Sequence, residues 1–384
     1  MRSPEDELAE LDAASLRRTL RPVDSPQQPE SIIYQKEVTS FASNDYLGLA
    51  THPALRQAAT EAIETWGTGS GASRLITGSL NPHRQLEEFI AKAKKTESAI
   101  TFANGYTTSV GTLSALLEKG DTVILDKLSH ASLVDGARLS GATIRVFPHN
   151  NLDKLERLLQ STSQSAEPNR RTLIVTESVF SMDGDLAPLR EIVALKEKYH
   201  ALLLVDEAHA LGIYGSHGMG LAEQLGCSAG IDFHMGTLGK SAGSAGGYIA
   251  GSKAFIDLIV NKARSFIYST AAPPAQAAAS LAALKLIQSG EGAALREKLW
   301  SNLRLFSELT DSPRPESAII PWLVGDSQKA LDLSNQLLDQ HSILAPAVRY
   351  PTVPRNTARL RITITAAHSE KNITQLCEIL NSLA

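Results

Sequence analysis

Seven short runs of apolar residues recur along the first two thirds of the chain, and each run ends in small or polar residues. Their hydrophobicity is continuous rather than alternating, which is typical of strands covered on both faces. Intervening segments such as 189–199 have helical periodicity. The pattern predicts an α/β fold with a mostly parallel, seven-stranded sheet. The predicted strands are 99–102, 122–126, 143–147, 172–176, 202–206, 232–236 and 247–250.

The chain changes character after about Lys285. Helical patterns at 295–309 and 329–340 alternate there with strand-like pieces at 319–324 and 359–365. Alternation of polar and apolar residues at 360–365 predicts an antiparallel strand with one exposed face. We therefore expect a smaller α+β C-terminal domain. The predicted division is an N-terminal arm at 1–45, a large domain at 46–285 and a small domain at 286–384.

Chemically capable side chains follow the predicted strands where each strand ends. In open parallel sheets, ligands bind beyond the carboxyl ends of the strands, because loops converge there and helix N-termini point inward. This position therefore predicts the functional site. The segments that meet there are 104–106, 126–130, 177–183, 206–209 and 237–240.

Composition narrows the classes of function. The 384 residues carry 37 Lys and Arg against 41 Asp and Glu, a net charge of −4 without a basic block. This balance argues against binding of nucleic acid or of an anionic membrane through bulk charge, and favours small-molecule chemistry. The two cysteines, Cys227 and Cys377, fit a reducing compartment. No apolar run of about 18 residues is present, so we expect a cytoplasmic enzyme.

Two alternative interpretations of the strand-end motifs fail. The string DEAH at 206–209 occurs in helicases, which also need a P-loop. Gly239, Lys240 and Ser241 could end such a loop, but its required first glycine falls on His234. His130, His209 and His234 lie at three different strand ends without the spacing of a metal site, so we expect no metal.

Lys240 stands out among the lysines because small residues surround it at 237–247. Such a stretch would let a bulky ligand approach the backbone, and a lysine buried there can form a Schiff base with an aldehyde cofactor. Pyridoxal 5'-phosphate needs a carboxylate at its ring nitrogen and a donor at its ring oxygen. Asp206 can supply the carboxylate, and His209 can reach the oxygen.

The motifs resemble those of the α-oxoamine synthases, which are fold type I pyridoxal phosphate enzymes. The resemblance covers about 41–368 of the chain and implies that fold. It is carried by SNDYLGL at 43–49, GSGASR at 69–74, LSHAS at 128–132, SVFSMDGD at 178–185, VDEAH at 205–209 and TLGK at 237–240.

Site residues can be assigned through this resemblance. It implies that Lys240 carries the cofactor, that Asp206 pairs with the ring nitrogen and His209 with the ring oxygen, and that His130 stacks on the ring. The alternative for His130 is a histidine that only satisfies a neighbouring group. The remaining implied cofactor contacts are Gly105, Tyr106, Ser181 and Thr237.

The C-terminal half favours a member of the family that is a transferase for L-alanine and a pimeloyl thioester, carried on acyl carrier protein or coenzyme A. The strings FIYSTAAPPA at 266–275, RYPTVP at 349–354 and TARLRIT at 357–363 carry this resemblance. They imply that Arg349 or Arg361 binds the alanine carboxylate, since a planar guanidinium matches a carboxylate. Further implied substrate contacts are Thr352 and either Arg17 or Arg18, unless the latter two are the solvated face of an N-terminal helix.

The resemblance also implies a homodimer in which Ser269 or Thr270 reaches the phosphate in the neighbouring subunit. Two alternatives stay open. One is a synthase or ligase that uses glycine, such as 2-amino-3-ketobutyrate CoA ligase. The other is a non-catalytic homologue, although such subunits tend to lose the lysine, which is retained here as Lys240.

Overall fold

The computed structural model describes residues 2–14, 16–165 and 170–383. The strands are β1 Glu30–Ile33, β2 Lys36–Ser40, β3 Ser98–Phe102, β4 Thr122–Asp126, β5 Thr143–Phe147, β6 Thr172–Glu177, β7 Leu202–Asp206, β8 Phe233–Thr237, β9 Gly247–Gly251, β10 Ile319–Gly325, β11 Ile343–Leu344, β12 Ala347–Val348 and β13 Ala358–Thr363.

The helices alternate with these strands. They are α1 Pro4–Ala13, α2 Pro53–Trp66, α3 Asn81–Lys94, α4 Gly105–Leu116, α5 Ala131–Ser140, α6 Leu152–Ser165, α7 Leu189–Lys198, α8 Leu221–Leu225, α9 Lys253–Lys262, α10 Arg264–Ile267, α11 Pro274–Ile287, α12 Gly290–Thr310, α13 Ser327–His341 and α14 Glu370–Leu383.

The central sheet has seven strands in the order β3-β9-β8-β7-β6-β4-β5. The pairs from β8 to β5 are parallel, and β9 is antiparallel to both of its neighbours. Ile124 and Ile174 face one hydrophobic cluster, and their neighbours Leu125 and Val175 face another. Both faces are therefore covered, which explains the continuous apolar runs. The predicted α/β class with a mostly parallel seven-stranded sheet is confirmed.

The C-terminal part contains an antiparallel sheet in the order β10-β13-β12, with α12, α13 and α14 packed around it. A second small sheet joins the two ends of the chain, because β11 pairs in parallel with β2. The N-terminal segment is thus anchored to the C-terminal part. The helices and strands predicted after Lys285 are all present within a few residues of their expected bounds.

The prediction that the strand at 360–365 has one exposed face is wrong. Arg359, Arg361 and Thr363 are buried, like the apolar residues between them. Their side of β13 faces the segment that follows β6, where Arg359 Nη1 lies 2.5 Å from Asp183 Oδ1 and Arg361 Nε donates to the Ser181 carbonyl at 2.7 Å. Polar residues alternate here because one face binds polar groups of the segment after β6 rather than water.

Candidate active site

A cavity of about 200 Å3 lies beyond the carboxyl ends of the parallel strands. It brings together seven of the residues predicted from sequence, which come from four different strand ends. Because a parallel sheet places these ends along one edge, residues more than 100 positions apart meet here. The lining residues are Gly105, Tyr106, His130, Ser132, Glu177, Asp206, Ala208, His209, Met235, Thr237 and Lys240.

Lys240 lies in the turn between β8 and β9, and its Nζ is 2.7 Å from His209 Nε2. The turn needs small residues, since Gly243 has a φ of +58° and a Cβ there would lie 2.4 Å from the backbone of Leu49 and Ala50. Burial lowers the pKa of Lys240 to about 8, although the carboxylates of Asp206 and Glu177 act in the opposite direction. A substantial neutral fraction of the amine is therefore available near neutral pH.

A chain of hydrogen bonds continues from Lys240 toward Arg361 on β13. His209 Nδ1 lies 2.5 Å from Tyr46 Oη, and the Tyr46 hydroxyl donates to Asn44 Oδ1 at 3.1 Å. Arg361 Nη2 donates to the same Asn44 oxygen at 3.1 Å. Burial, with the positive charges of Lys240 and Arg361, lowers the pKa of His209 well below its usual value. His209 is therefore a neutral imidazole whose ring is fixed from both nitrogens.

Two buried carboxylates, Asp206 and Glu177, lie side by side at the ends of β7 and β6. Asp206 Oδ1 accepts the Ala208 N–H at 2.9 Å, and Glu177 Oε1 accepts the His130 N–H at 2.6 Å. Burial raises the pKa of both groups, that of Glu177 to about 8, while the charge of Lys240 acts in the opposite direction. A cation bound in the cavity would favour the ionised form of Asp206 in the same way.

His130 begins α5 and contacts the cavity with its ring. Its Nδ1 accepts the Ser132 N–H at 3.3 Å, which caps the helix. Burial lowers the pKa of His130, so the imidazole is neutral. The backbone bond to Glu177 and the cap together fix the ring at the cavity wall. One ring nitrogen of His130 therefore has a hydrogen-bond partner, as the alternative interpretation required. The ring also lines the cavity, where it could stack on a cofactor.

The N-terminus of α4 forms another wall of the cavity, at Gly105 and Tyr106. Asn104 Oδ1 caps this helix by accepting the Thr107 N–H at 2.9 Å. A Cβ on Gly105 would lie 3.7 Å from Thr237 Oγ1, so the helix start and the hydroxyl of Thr237 are adjacent. A helix N-terminus with a hydroxyl beside it is well suited to a phosphate group.

Eight residues implied by the resemblance are not part of the cavity lining: Ser181, Arg349, Thr352, Arg361, Arg17, Arg18, Ser269 and Thr270. Ser181 meets Arg361 through its carbonyl, and Arg349 and Thr352 lie together in a turn where the Thr352 N–H donates to the Arg349 carbonyl at 3.0 Å. Arg17 and Arg18 are exposed, and Arg17 pairs with Asp12 at 2.7 Å. The expectation that these two arginines lie on a helix is wrong, because α1 ends at Ala13.

Sequence reasoning did not single out Tyr46, Asn44 or Glu177 as site residues. Tyr46 lies 163 residues from His209, its hydrogen-bond partner, and no spacing pattern links two such positions. The SNDYLGL string at 43–49 was the available signal for Asn44 and Tyr46. Glu177 could have been found from its place at a strand end, directly beside Asp206 in the sheet.

The groups around the cavity fit pyridoxal 5'-phosphate. A partly buried amine, a buried carboxylate, a neutral imidazole and a helix N-terminus meet at one space. This set matches the aldehyde, the ring nitrogen, the ring oxygen and the phosphate of that molecule. The arrangement defines a candidate cofactor site whose lysine is Lys240.

Comparison with known proteins gives the class. The aminotransferase class I and II family matches residues 36–380. An 8-amino-7-oxononanoate synthase of Geobacter sulfurreducens is 46% identical over 377 residues, which cover 97% of this chain and 95% of that protein. Among solved structures, one of SPT (serine palmitoyltransferase) with pyridoxal phosphate (PLP) aligns with a TM-score of 0.90 and 30% identity, over 98% of this chain and 95% of that chain.

A solved 8-amino-7-oxononanoate synthase of Francisella tularensis aligns with a TM-score of 0.76 and 27% identity, over 90% of this chain and 97% of the other. The chain therefore belongs to the class I and II aminotransferase family. Its place within that family is among the 8-amino-7-oxononanoate synthases, so it is an acyltransferase of biotin biosynthesis whose cofactor is pyridoxal 5'-phosphate.

Proposed function

We propose that the chain condenses L-alanine with a pimeloyl thioester, on acyl carrier protein or coenzyme A, to form 8-amino-7-oxononanoate. The new bond joins the alanine Cα to the thioester carbonyl carbon, the thiol leaves from that carbon, and the alanine carboxyl group leaves as carbon dioxide. The observation that carries the proposal is the meeting of Lys240, Asp206, His209 and His130 around one cavity at the strand ends.

Lys240 would act as the cofactor-binding amine and then as the general base that takes the proton from the alanine Cα. Both tasks need a neutral amine, which burial makes available by lowering the pKa of Lys240 to about 8. His209 holds the Nζ at 2.7 Å, so the base starts from a fixed position.

Asp206, His209, the start of α4 and Thr237 would hold the cofactor. Pyridoxal phosphate, when bound, supplies an aldehyde that reacts with amines and a ring that accepts electrons. Asp206 would keep the proton on the ring nitrogen, and His209 would face the ring oxygen. The N–H groups of Gly105 and Tyr106, with the Thr237 and Ser181 hydroxyls, would bind the phosphate and ring substituents. His130 would cover one face of the ring.

Arg361 or Arg349 would bind the alanine carboxylate. Arg361 is buried and already joined to the site through Asn44 and Ser181, which supports it. Arg349 and Thr352 lie in a turn that could contact substrate from the small domain. Arg17 or Arg18 would contact the pimeloyl end, since both are exposed on a segment that can meet an incoming chain.

The proposal also covers the oligomeric state of the protein and its location in the cell. We expect a homodimer in the cytoplasm, with the chain divided into an arm at 1–45, a large domain at 46–285 and a small domain at 286–384. Among the described residues, no helix has the length and apolar character that crossing a bilayer requires.

One assay tests the proposal. Purified protein with pyridoxal phosphate is mixed with L-alanine, glycine or L-serine and with pimeloyl groups on either carrier, and products are identified by mass. We expect 8-amino-7-oxononanoate from L-alanine only. Lys240→Ala should lower the rate by roughly 10³-fold or more, whereas Lys262→Ala, at the exposed end of α9, should match the wild type. Product from glycine but not from L-alanine would contradict the proposal.

A further inference from the structure

His149, which follows β5, bridges two aspartates outside the cavity. Its Nδ1 lies 3.0 Å from Asp126 Oδ1 at the end of β4, and its Nε2 lies 2.6 Å from Asp185 Oδ2. The ring also packs edge-on against Phe180, with 4.3 Å between centroids. One imidazole thus joins two strand ends to the segment that follows β6.

His149 is doubly protonated in this arrangement, because both ring nitrogens face carboxylate oxygens and only the imidazolium donates from both. Burial lowers its pKa, but the hydrogen bonds and charges of Asp126 and Asp185 outweigh burial and raise the pKa to about 10. Asp126 in turn accepts the N–H groups of Leu128 and Asn150 at 2.8 and 2.9 Å. The bridge is therefore anchored at the end of β4.

On its other side the bridge holds residues 178–187, which we call the 178–187 segment. The segment folds back on itself through backbone bonds from Phe180 to Asp185 and from Ala187 to Ser178. The Asn150 side chain donates to the Leu186 carbonyl at 3.0 Å, which adds a second tie beside His149.

The same segment is the large-domain surface that the β13 arginines contact. Arg361 donates to the Ser181 carbonyl and Arg359 pairs with Asp183. Gly184 has a φ of +72°, and a Cβ there would lie 2.2 Å from the Ile319 carbonyl of β10, so the small domain packs closely against the segment. Any shift of the 178–187 segment would move the Arg361 guanidinium.

We propose that His149 is a positioning residue, which fixes the 178–187 segment against Asp126 and thereby holds Ser181 and Arg361 in place for the cofactor and the amino-acid carboxylate. This inference rests on the proposed function, because Ser181 and Arg361 take their roles from it. His149 itself lines no part of the cavity, so its effect has to be indirect.

The test compares His149→Gln, Asp185→Asn and the double variant with the wild type as holoenzymes. A glutamine cannot donate to both aspartates, so the segment loses its clamp. We expect the dissociation constant of L-alanine, read from the visible absorbance of the bound cofactor, to rise roughly tenfold. The dissociation constant of pyridoxal phosphate should rise in parallel, and amide exchange of the 178–187 segment should quicken.

The matched control is His217→Gln, since His217 Nδ1 also pairs with a carboxylate at 2.6 Å, that of Glu223, but on a surface away from the segment. Its constants should stay within about twofold of the wild type. If His149 acts through Asp185, the double variant should be no worse than His149→Gln alone. Asp185 is one-third exposed, so its variant is the milder one if His149→Gln fails to fold.

Two outcomes overturn the inference. One is a loss of thermal stability in His149→Gln with both dissociation constants unchanged, which would make the bridge structural only. The other is full additivity of the two single variants. If the visible absorbance of the wild type does not respond to L-alanine, the proposed function fails. The role of His149 is then still decided by the dissociation constant of pyridoxal phosphate and by the rate of amide exchange in the 178–187 segment.

Discussion

Burial acts in the same direction on Lys240 and His149, yet their pKa values move apart. The Lys240 amine contacts the imidazole of His209, and the carboxylates of Asp206 and Glu177 affect it only through space, so burial prevails and the pKa falls to about 8. His149 donates directly to two carboxylates, and its pKa rises to about 10. At the scale of single residues, direct charge-assisted hydrogen bonds decide which groups keep their charge.

The raised pKa of His149 makes a pH-dependent contribution to stability. In the unfolded chain the pKa returns to about 6.5. A group whose pKa is higher in the folded state stabilises it fully below the unfolded value, and this contribution is lost as pH rises through the folded value. The difference in Tm between wild type and His149→Gln should therefore be largest near pH 6 and should shrink between pH 6.5 and about 10.

Thermal unfolding of both proteins across that range checks the expectation. In Asp185→Asn one of the two carboxylates is absent, so the pKa of His149 in the folded protein should be lower. The stabilisation by His149 should then be lost over a narrower pH range that ends at a lower pH. A Tm difference that stays constant from pH 6.5 to 10 would show that His149 is neutral in the folded protein.

At the residue scale the sequence identified the strand-end groups but not their partners. Lys240, Asp206, His209 and His130 were predicted because strand ends in parallel sheets converge, and the cavity contains all four. The contacts of His149 with Asp126 and Asp185 span 23 and 36 positions. Such pairs depend on how loops pack against one another, and hydrophobic periodicity carries no information about that.

At the scale of elements, α4 couples helix stability to the candidate phosphate site. Its N-cap Asn104 accepts the Thr107 N–H, and Gly105 and Tyr106 of the first turn, where helix N–H groups have no intrahelical partner, line the cavity. Asn104→Ala should cost about 1 kcal/mol of stability. The first turn would fray, and the dissociation constant of pyridoxal phosphate should rise roughly two- to fivefold.

The matched control is Asp326→Ala, which removes the N-cap of α13, where Asp326 accepts the Lys329 N–H at 2.9 Å. It should cost a similar amount of stability while leaving the cofactor constant unchanged. Denaturant unfolding and cofactor titration of both variants separate the two effects. Equal dissociation constants of pyridoxal phosphate in the two variants would show that the phosphate does not bind at the N-terminus of α4.

The elements themselves were largely predictable, and the error about β13 has a physical cause. All seven strands of the central sheet lie within a residue or so of their apolar runs. The inner strands are covered on both faces, whereas the edge strand β5 is largely exposed. In β13 the alternation of Arg359, Leu360 and Arg361 looked like a strand with one face in water. Alternation reports only that one face is polar, and here that face meets Ser181 and Asp183 instead of solvent.

At the scale of the whole molecule, the N-terminal strands pair with the C-terminal part of the chain. β2 pairs with β11, so the first strands belong spatially with the C-terminal residues. The contacts of β13 with the 178–187 segment then join the C-terminal antiparallel sheet to the strand-end edge of the central sheet. Sequence predicted the three-part division as a linear order, but not this return of the N-terminal segment, since strand pairing between distant segments leaves no local pattern.

The predicted homodimer can be tested at an exposed apolar surface formed by the loops that contain Ile76 and Tyr268. Ile76 and Tyr268 are 76% and 73% exposed, and a bridge between Ser73 and Thr270 places their two loops side by side. Exposed apolar residues grouped in this way are typical of protein interfaces. Ile76→Glu should therefore convert a dimer to a monomer in light-scattering measurements, because it buries a charge without a partner at the interface.

The same variant should bind pyridoxal phosphate more weakly if Thr270, in the adjoining loop, contributes to the phosphate of the neighbouring subunit. Leu323→Glu is the matched control, since Leu323 is also an exposed apolar residue, at 67%, but lies on β10 of the small domain. It should remain a dimer with unchanged cofactor affinity. A wild-type protein that is monomeric at micromolar concentration, or an Ile76→Glu protein that stays dimeric, would show that this surface does not join two copies of the chain.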